Sequence, residues 1–235
     1  MNKITALIPT FNPIKKWLQQ TLDSCIGFDE LIICNDGSEN FNFGQYRLPK
    51  DTKVTFIQNE TNLGCFQTIN ILCNQVTDGL ITIQADDDYY NKDILPEIIE
   101  RARLTEADVL YFPCQYFGKY QFIFGNVPRV EYKSLRQANY VYGSAFFTKD
   151  LWRFLEGFQL KVAGDWDFWV RAAKSGAKFE FYPRIGAYFR VSSRSMFENS
   201  LAKTGRAMIN KEVQDNSDKW KKRYVKTYEK QEVNF

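Results

Sequence analysis

Ile81-Thr-Ile-Gln-Ala-Asp-Asp-Asp-Tyr-Tyr90 is an apolar run with β-branched residues that breaks into three consecutive carboxylates. Short apolar runs of this composition read as buried strands. Three adjacent acids repel one another, and a fold gains nothing by placing them at the end of such a strand. One reading is a solvated acidic turn. The other is a ligand site, because ligands of open α/β sheets bind beyond the carboxyl ends of the strands. Hard oxygen donors clustered there suit Mg²⁺ or Mn²⁺, which are often held by one or two carboxylates plus substrate phosphates.

On the N-terminal side, Lys3-Ile-Thr-Ala-Leu-Ile-Pro9 is another buried-strand run. Ile14, Trp17, Leu18, Leu22 and Ile26 then recur at helical spacing. Glu30 to Cys34 is a second strand, stopping at Asn35-Asp-Gly-Ser38. Such short joints predict a βαβ unit with a right-handed parallel crossover. Residues 39–53 read as a surface loop or short helix. A third strand is predicted over Val54 to Ile57, then a turn over Asn59 to Gly64. A helix from Phe66 to Val76, with Ile69, Leu72, Cys73 and Val76 inward, leads to the acidic strand.

Beyond the acids, the pattern predicts a helix over Asp93 to Leu104 with Leu95, Ile98, Ile99 and Ala102 on one face. Further expectations are a strand over Ala107 to Pro113, a hairpin over Tyr116 to Val127, a short helix over Lys149 to Leu155 and a strand over Phe179 to Tyr188. Ser134 to Val141 reads either way. The expected fold class is α/β, with a mostly parallel central sheet flanked by helices.

Composition narrows the chemistry. The 235 residues suffice for one α/β domain with a substantial core. A net charge of +3 without a basic stripe argues against nucleic acid as a partner. The chain contains no histidine, and its five cysteines show no paired spacing. A zinc site, a Ser-His-Asp triad and a Cys-His dyad are therefore out. A general base must be a carboxylate or, failing that, Lys or Tyr. No signal peptide or long apolar span is seen, so reduced thiols and a cytoplasmic location are expected.

Ile8-Pro-Thr-Phe-Asn12, Asn35-Asp-Gly-Ser38, Asn62-Leu-Gly64 and the acidic triplet occur in an order and spacing that resembles the family-2 glycosyltransferases of the GT-A fold. Each motif is weak alone; four in order are specific. The resemblance implies a single GT-A nucleotide-diphospho-sugar transferase domain over residues 1–197. Its nucleotide-sugar half would span about 1–100 and its acceptor half about 101–197, with a charged helical extension over 198–235. It also implies that Pro9, Thr10, Asn12, Asn35, Asp36, Asn62 and Gly64 line the nucleotide. Asp36 is the residue expected to accept a hydrogen bond from the base or ribose. Asp86 and Asp87 would reach the ribose, and Asp86, Asp87 and Asp88 would supply the ligands for Mn²⁺ or Mg²⁺. The family pattern has a further acid where this chain has Gln84 or Ala85, depending on alignment. Asp88 is expected as the direct ligand and Asp87 as the second.

Gly164-Asp-Trp-Asp-Phe-Trp-Val-Arg171 is a second constellation. Asp165 is a favoured residue type for a helix N-cap, which is one reading. The resemblance implies the other, that Asp165 is the general base on the acceptor hydroxyl, although Gly164 replaces the family's preceding Glu. Trp166 and Asp167 are candidates for acceptor contact, Asp167 alternatively for a structural role, and Arg171 for an ion pair on the helix face. Where family members often carry a metal-ligating His, this chain has Ser192. Arg190 and Arg194 are candidate diphosphate clamps, since guanidinium pairs bidentately with phosphate.

The expected reaction is metal-dependent, inverting transfer of a sugar from a nucleotide donor, UDP being the family's commonest, to a hydroxyl of a glycan or glycolipid acceptor. A non-catalytic sugar-nucleotide-binding domain that steers a partner enzyme is the alternative. The tail beyond Glu198, with its basic knot Lys219-Trp-Lys-Lys-Arg-Tyr224, is expected to pack through Trp220 and Tyr224. Basic residues beside aromatics also suit peripheral contact with the inner face of a membrane.

Overall fold

The computed structural model describes residues 1–192 and 205–224. Strands β1 (Ile4–Thr10), β2 (Glu30–Asp36) and β3 (Lys53–Asn59) alternate with helices α1 (Lys15–Ser24) and α2 (Cys65–Gln75), the latter leading into β4 (Leu80–Ile83). The acids follow β4, then come β5 (Tyr89–Tyr90), α3 (Leu95–Leu104), β6 (Val109–Tyr111), β7 (Cys114–Gly118) and β8 (Phe122–Phe124). The remaining elements are α4 (Tyr132–Leu135), β9 (Phe146–Thr148), α5 (Lys149–Phe154), α6 (Gly164–Ser175), β10 (Phe179–Phe181), β11 (Ala187–Val191) and α7 (Arg206–Lys219).

The main sheet runs β10-β6-β9-β4-β1-β2-β3. All its pairings are parallel except those of β9, which lies antiparallel between β4 and β6. Strand periodicity sends alternate residues to opposite faces. Ile4, Ala6, Ile8, Leu31, Ile33 and Leu80 pack with α1 and α3, whereas Leu7, Ile32, Cys34 and Ile81 pack with α2, α5 and α6. The layers are therefore helix, sheet, helix, as expected, with the acidic turn at the carboxyl end of central β4. A smaller sheet, β5-β11-β7-β8, stands beside that end.

Several boundaries differ from the sequence expectations. The run expected as one strand over Phe179 to Tyr188 breaks into β10 and β11, which serve different sheets. Pro183 and Gly186 lie in the break, and neither favours a continuous strand. Tyr142 to Ala145 forms a turn closed by Ala145 N–H donating to the Tyr142 carbonyl at 3.0 Å, so β9 starts at Phe146. Of the ambiguous stretch only Ser134 and Leu135 are helical, as the end of the single turn α4. Residues 39–53 contain a short 3₁₀ turn, Phe43–Gln45.

The tail packs into the domain. Ile209, Val213 and Trp220 join the core on the α6 face. Trp220 Nε1 donates to Ser175 Oγ at 2.7 Å, and Tyr224 N–H donates to the Ser175 carbonyl at 2.9 Å. The packing expected of Trp220 and Tyr224 is thus present. The boundary expected at 197/198 lies outside the described residues, as does Arg194. No described helix is long and apolar enough to cross a membrane.

Candidate active site

The chain leaves β4 still paired to β1, Gln84 N–H donating to the Leu7 carbonyl at 2.9 Å. It then turns within Ala85 to Asp88, closed by Asp88 N–H donating to the Ala85 carbonyl at 3.3 Å. This turn sorts the three acids. Asp86 and Asp87 are half-buried, and Thr10 Oγ1 at the end of β1 donates to Asp86 Oδ2 at 2.5 Å. Asp88 turns inward and is 2% exposed. Its Oδ1 accepts from Arg190 N–H at 2.6 Å and its Oδ2 from the Tyr142 hydroxyl at 3.1 Å. Burial, followed by repulsion from Asp87, pushes the Asp88 carboxyl well above the usual carboxylate range. That geometry uses Asp88 to tie β11 and the turn before β9 to the acidic loop. Asp86 and Asp87 are left as the acids nearer the cleft.

Arg190 is part of the same fastening. Its Nε donates to the Asp87 carbonyl at 2.9 Å and a terminal nitrogen donates to Gln20 Oε1 at 2.7 Å. The guanidinium lies between the rings of Trp17 and Phe117, 4.7 and 4.6 Å from their centroids. In this arrangement the side chain expected to clamp a diphosphate holds the acidic turn against α1. Ser192 is half-buried just past β11.

The Asn35-Asp-Gly-Ser38 turn is also built inward. Asn35 is 1% exposed and Asp36 3%. Asp36 accepts the Leu63 and Gly64 backbone N–H groups at 2.9 and 3.0 Å and the Asn59 amide at 2.8 Å. The carboxylate expected to meet the base or ribose thus organises the loop that starts α2. Asn62 reaches back to the Asp36 carbonyl at 3.3 Å. Gly37 has φ +76°, and a β-carbon there would lie 2.5 Å from the Asn62 nitrogen, so the two motifs touch only because residue 37 is glycine. Ser38 Oγ accepts the Asn12 N–H at 2.7 Å and fastens the β1 loop to this turn. Pro9 is half-buried, Thr10 buried and Asn12 exposed.

Asp165 lies in the first turn of α6. The N-cap is Ala163, in the left-handed region at φ 53°, which removes the capping reading. Burial pushes its carboxyl up to about 6, against the lowering influence of the Trp166 and Asp165 backbone N–H groups and of the Asn139 side chain. Asp167, two residues on, is fully buried and pairs with Arg171 at 2.7 Å. Its other oxygen accepts the Asn216 amide at 2.7 Å from α7. Arg171 also donates to the Leu155 and Gly157 carbonyls at 2.6 and 2.9 Å. Asp167 therefore holds α6, α7 and the loop after α5 together and does not face the cleft. Trp166, a further acceptor candidate, is likewise buried and donates to the Leu135 carbonyl at 2.6 Å.

The two acidic constellations lie close together, since Tyr142 bonds Asp88 and a β-carbon on the next residue, Gly143, would lie 3.6 Å from Asp165 Oδ2. Burial, helped by the charges of Asp165, Asp86, Asp36 and Asp87, pushes the Cys65 thiol at the start of α2 up to about 12. The Tyr116 hydroxyl of β7 likewise feels Asp165 and Asp88. The Phe66 ring packs against Gly164, where a β-carbon would come within 2.8 Å of it. Any side chain at that position, the family's Glu included, would require Phe66 to move. Cys65, Tyr116, Asn139 and Tyr142 were not singled out from the sequence, because their placement depends on long-range packing and no local motif marks them.

Asp86 and Asp87 fit a divalent cation by donor chemistry: hard, half-buried oxygens beyond a strand end. Among the described residues no group of three or more His, Cys, Asp or Glu side chains could hold a metal by itself. A cation here would depend on oxygens from a bound phosphate and water, the usual situation for Mg²⁺.

Comparison with known proteins bears on family and fold. The profile described as glycosyl transferase family 2 matches residues 5–156. No curated relative matches the chain. Among solved structures, S. aureus TarS 1-349 aligns with a TM-score of 0.66 at 20% identity, covering 80% of this chain and 60% of that one. TarS 1-349 in complex with UDP-GlcNAc aligns with a TM-score of 0.69 at 18% identity, over 83% and 60%. A longer TarS structure aligns with a TM-score of 0.66 at 19% identity, over 81% and 37%. The chain thus spans about 60% of the length of the shorter TarS structures, and the likeness is one of fold.

Proposed function

The chain belongs to glycosyltransferase family 2, and on that premise we propose that it transfers a sugar with inversion from a UDP-sugar donor to a hydroxyl of a glycan or glycolipid acceptor. Asp165 is the general base in this reading. The observation that carries it is the position of Asp165 beside the acidic turn, Gly143 lying against its carboxylate while neighbouring Tyr142 bonds Asp88, with burial pushing that carboxyl up to about 6. At neutral pH such a group is ionised yet still basic enough to take a proton as the hydroxyl attacks. A direct displacement requires no enzyme nucleophile, in keeping with a chain that lacks histidine. Solved TarS complexes contain UDP and UDP-GlcNAc, which makes UDP-GlcNAc the first donor to try.

Asp86 and Asp87 would hold Mn²⁺ or Mg²⁺ in this reading, with Asp88 bracing the loop behind them. When bound, the ion acts as a Lewis acid that neutralises charge on the departing diphosphate. Thr10 orients Asp86 from β1, and the turn fixes Asp87 through its carbonyl to Arg190. The exposed Lys219, Lys221, Lys222 and Arg223 beside buried Trp220 would suit an anionic lipid surface, which vesicle sedimentation would test.

The deciding experiment is Asp165→Asn. Turnover of UDP-GlcNAc with Mn²⁺ should fall by about 10²–10⁴-fold, while UDP binding measured by calorimetry stays near wild type. Equal loss of both would make Asp165 structural. Chelation with EDTA should abolish turnover, and transfer that persists without a metal would remove Asp86 and Asp87 from the scheme.

A further inference from the structure

We propose that Gln20 and Thr21 of α1 are positioning residues for the acidic turn, holding its backbone so that Asp86 and Asp87 are set for a divalent cation. The proposal rests on the reading that those two acids hold the ion. Trp17, Gln20, Thr21 and Ser24 recur at the spacing of one helix face. Thr21 and Ser24 are fully buried, on a helix that also buries Leu18 and Leu22. Buried hydroxyls need partners, and the acidic turn and the strand after it supply them.

The Thr21 hydroxyl has a single hydrogen to donate. A helical threonine ordinarily directs it to the carbonyl one turn back, here that of Trp17 at 3.2 Å. The Asp88 carbonyl lies nearer, at 2.6 Å, with the Ala85 carbonyl of the same turn at 3.5 Å. The hydroxyl therefore closes on the acidic turn rather than on its own helix. Ser24 Oγ donates to the Thr21 carbonyl at 2.7 Å and accepts the Tyr90 N–H at 3.0 Å. Gln20 Oε1 accepts from the Arg190 guanidinium at 2.7 Å, which also donates to the Asp87 carbonyl and lies over the Trp17 ring. One helix face thus holds the Asp88 carbonyl and the Tyr90 N–H directly, and the Asp87 carbonyl through Arg190.

These contacts restrict the turn at the positions that matter. The Asp88 carboxyl is fixed by the Arg190 N–H and by Tyr142. With its carbonyl on Thr21, residue 88 is held by both side chain and main chain, and the mutual repulsion of three adjacent carboxylates cannot unwind the turn. Thr10, just ahead of α1, holds the Asp86 side chain, so the continuous stretch from Thr10 to Ser24 grips the turn at both its ends. A cation bound by few protein oxygens depends on how well those oxygens are placed. Groups that orient metal ligands without touching the ion are commonly worth about ten- to hundredfold in affinity.

The test reads the cation itself and involves no turnover. With UDP present, free Mn²⁺ is followed by its electron paramagnetic resonance signal, which broadens away on binding. Thr21→Val keeps the shape and loses the hydroxyl, so the Mn²⁺ dissociation constant should rise about tenfold or more. Thr21→Ser keeps the donor and should stay near wild type. Gln20→Ala alters a half-buried side chain; it should weaken Mn²⁺ in the same direction and takes the place of the valine variant if that one does not fold. Ser175→Ala, which breaks the Trp220 hydrogen bond at the end of α6, should lower the thermal midpoint and leave Mn²⁺ affinity unchanged. Unchanged affinity in Thr21→Val beside normal uptake by wild type overturns the proposal and spares the metal reading. An equal loss in Thr21→Ser or Ser175→Ala overturns it too, by showing that the hydroxyl is not the cause. Wild type that takes up no Mn²⁺ sinks the metal reading and the proposal together.

Discussion

Asp86-Asp-Asp88 and Asp165-Trp-Asp167 both carry acids at positions one and three of a short run at an element end, and the fold treats those two positions alike up to a point. In each, the acid at position three turns inward. Asp88 and Asp167 are 2% and 0% exposed, whereas Asp86 and Asp165 are half-buried beside the cleft. The difference lies in what compensates the buried member. Asp167 pairs with Arg171 one helical turn on, so its charge is balanced within α6. Asp88 has a hydroxyl and a backbone N–H, neutral donors from two distant segments, so its carboxyl is pushed up and its neutral form is favoured. A buried charge pair and a buried acid with neutral partners obey different rules, and substitution separates them.

Arg171→Met should have the largest effect on stability. It strands Asp167 without its counter-charge and should cost about 3–5 kcal/mol, read as a lower midpoint in urea. Adding Asp167→Asn should recover much of that loss; if the double variant were no better, the pair would not be the unit described. Gly164→Ala should follow at about 1–3 kcal/mol, because Phe66 occupies the space a β-carbon needs. Phe66→Ala combined with Gly164→Ala should then cost less than the sum of the two, and strict additivity would show that they do not meet.

Asp88→Asn should have the smallest effect on stability. A carboxyl raised in the folded state binds more protons there than in the unfolded chain. Its contribution is present below the unfolded value near 3.9 and declines as pH rises above it. A neutral amide at residue 88 should therefore hold stability level or improve it at pH 7, and a loss comparable to that of Arg171→Met would contradict the burial argument. The same sign applies to Asp165, whose contribution should decline as pH rises through about 6. Activity runs the other way: the base must be ionised, so kcat should climb between pH 5 and pH 7 with an acid limb near 6. A limb near 4 would place the proton elsewhere.

Much of the architecture was legible in the sequence, because strands with period two and helices with apolar stripes carry their own evidence. The βαβ start, α2, α3 and the strand that delivers the acids lie within a few residues of where the pattern puts them. The split of Phe179 to Tyr188 between two sheets was not legible, since local pattern does not say which neighbour a strand will pair with. The same holds within the candidate site. Sequence placed Asp165 and the triplet at element ends, yet it put Asp36 and Arg190 on the ligand side and left Asp167 between acceptor contact and a structural role, and packing gave each an internal task.

By itself the sequence determined the fold class, the absence of histidine chemistry and the restriction of the base to a carboxylate, Lys or Tyr, since these depend on residue type and local period. Tertiary structure alone decided which acids face inward, which neutral donors meet them and how high each carboxyl is pushed. Those outcomes depend on burial and on partners tens of residues away, such as Tyr142 for Asp88 and Asn216 for Asp167, and no local pattern encodes such distances.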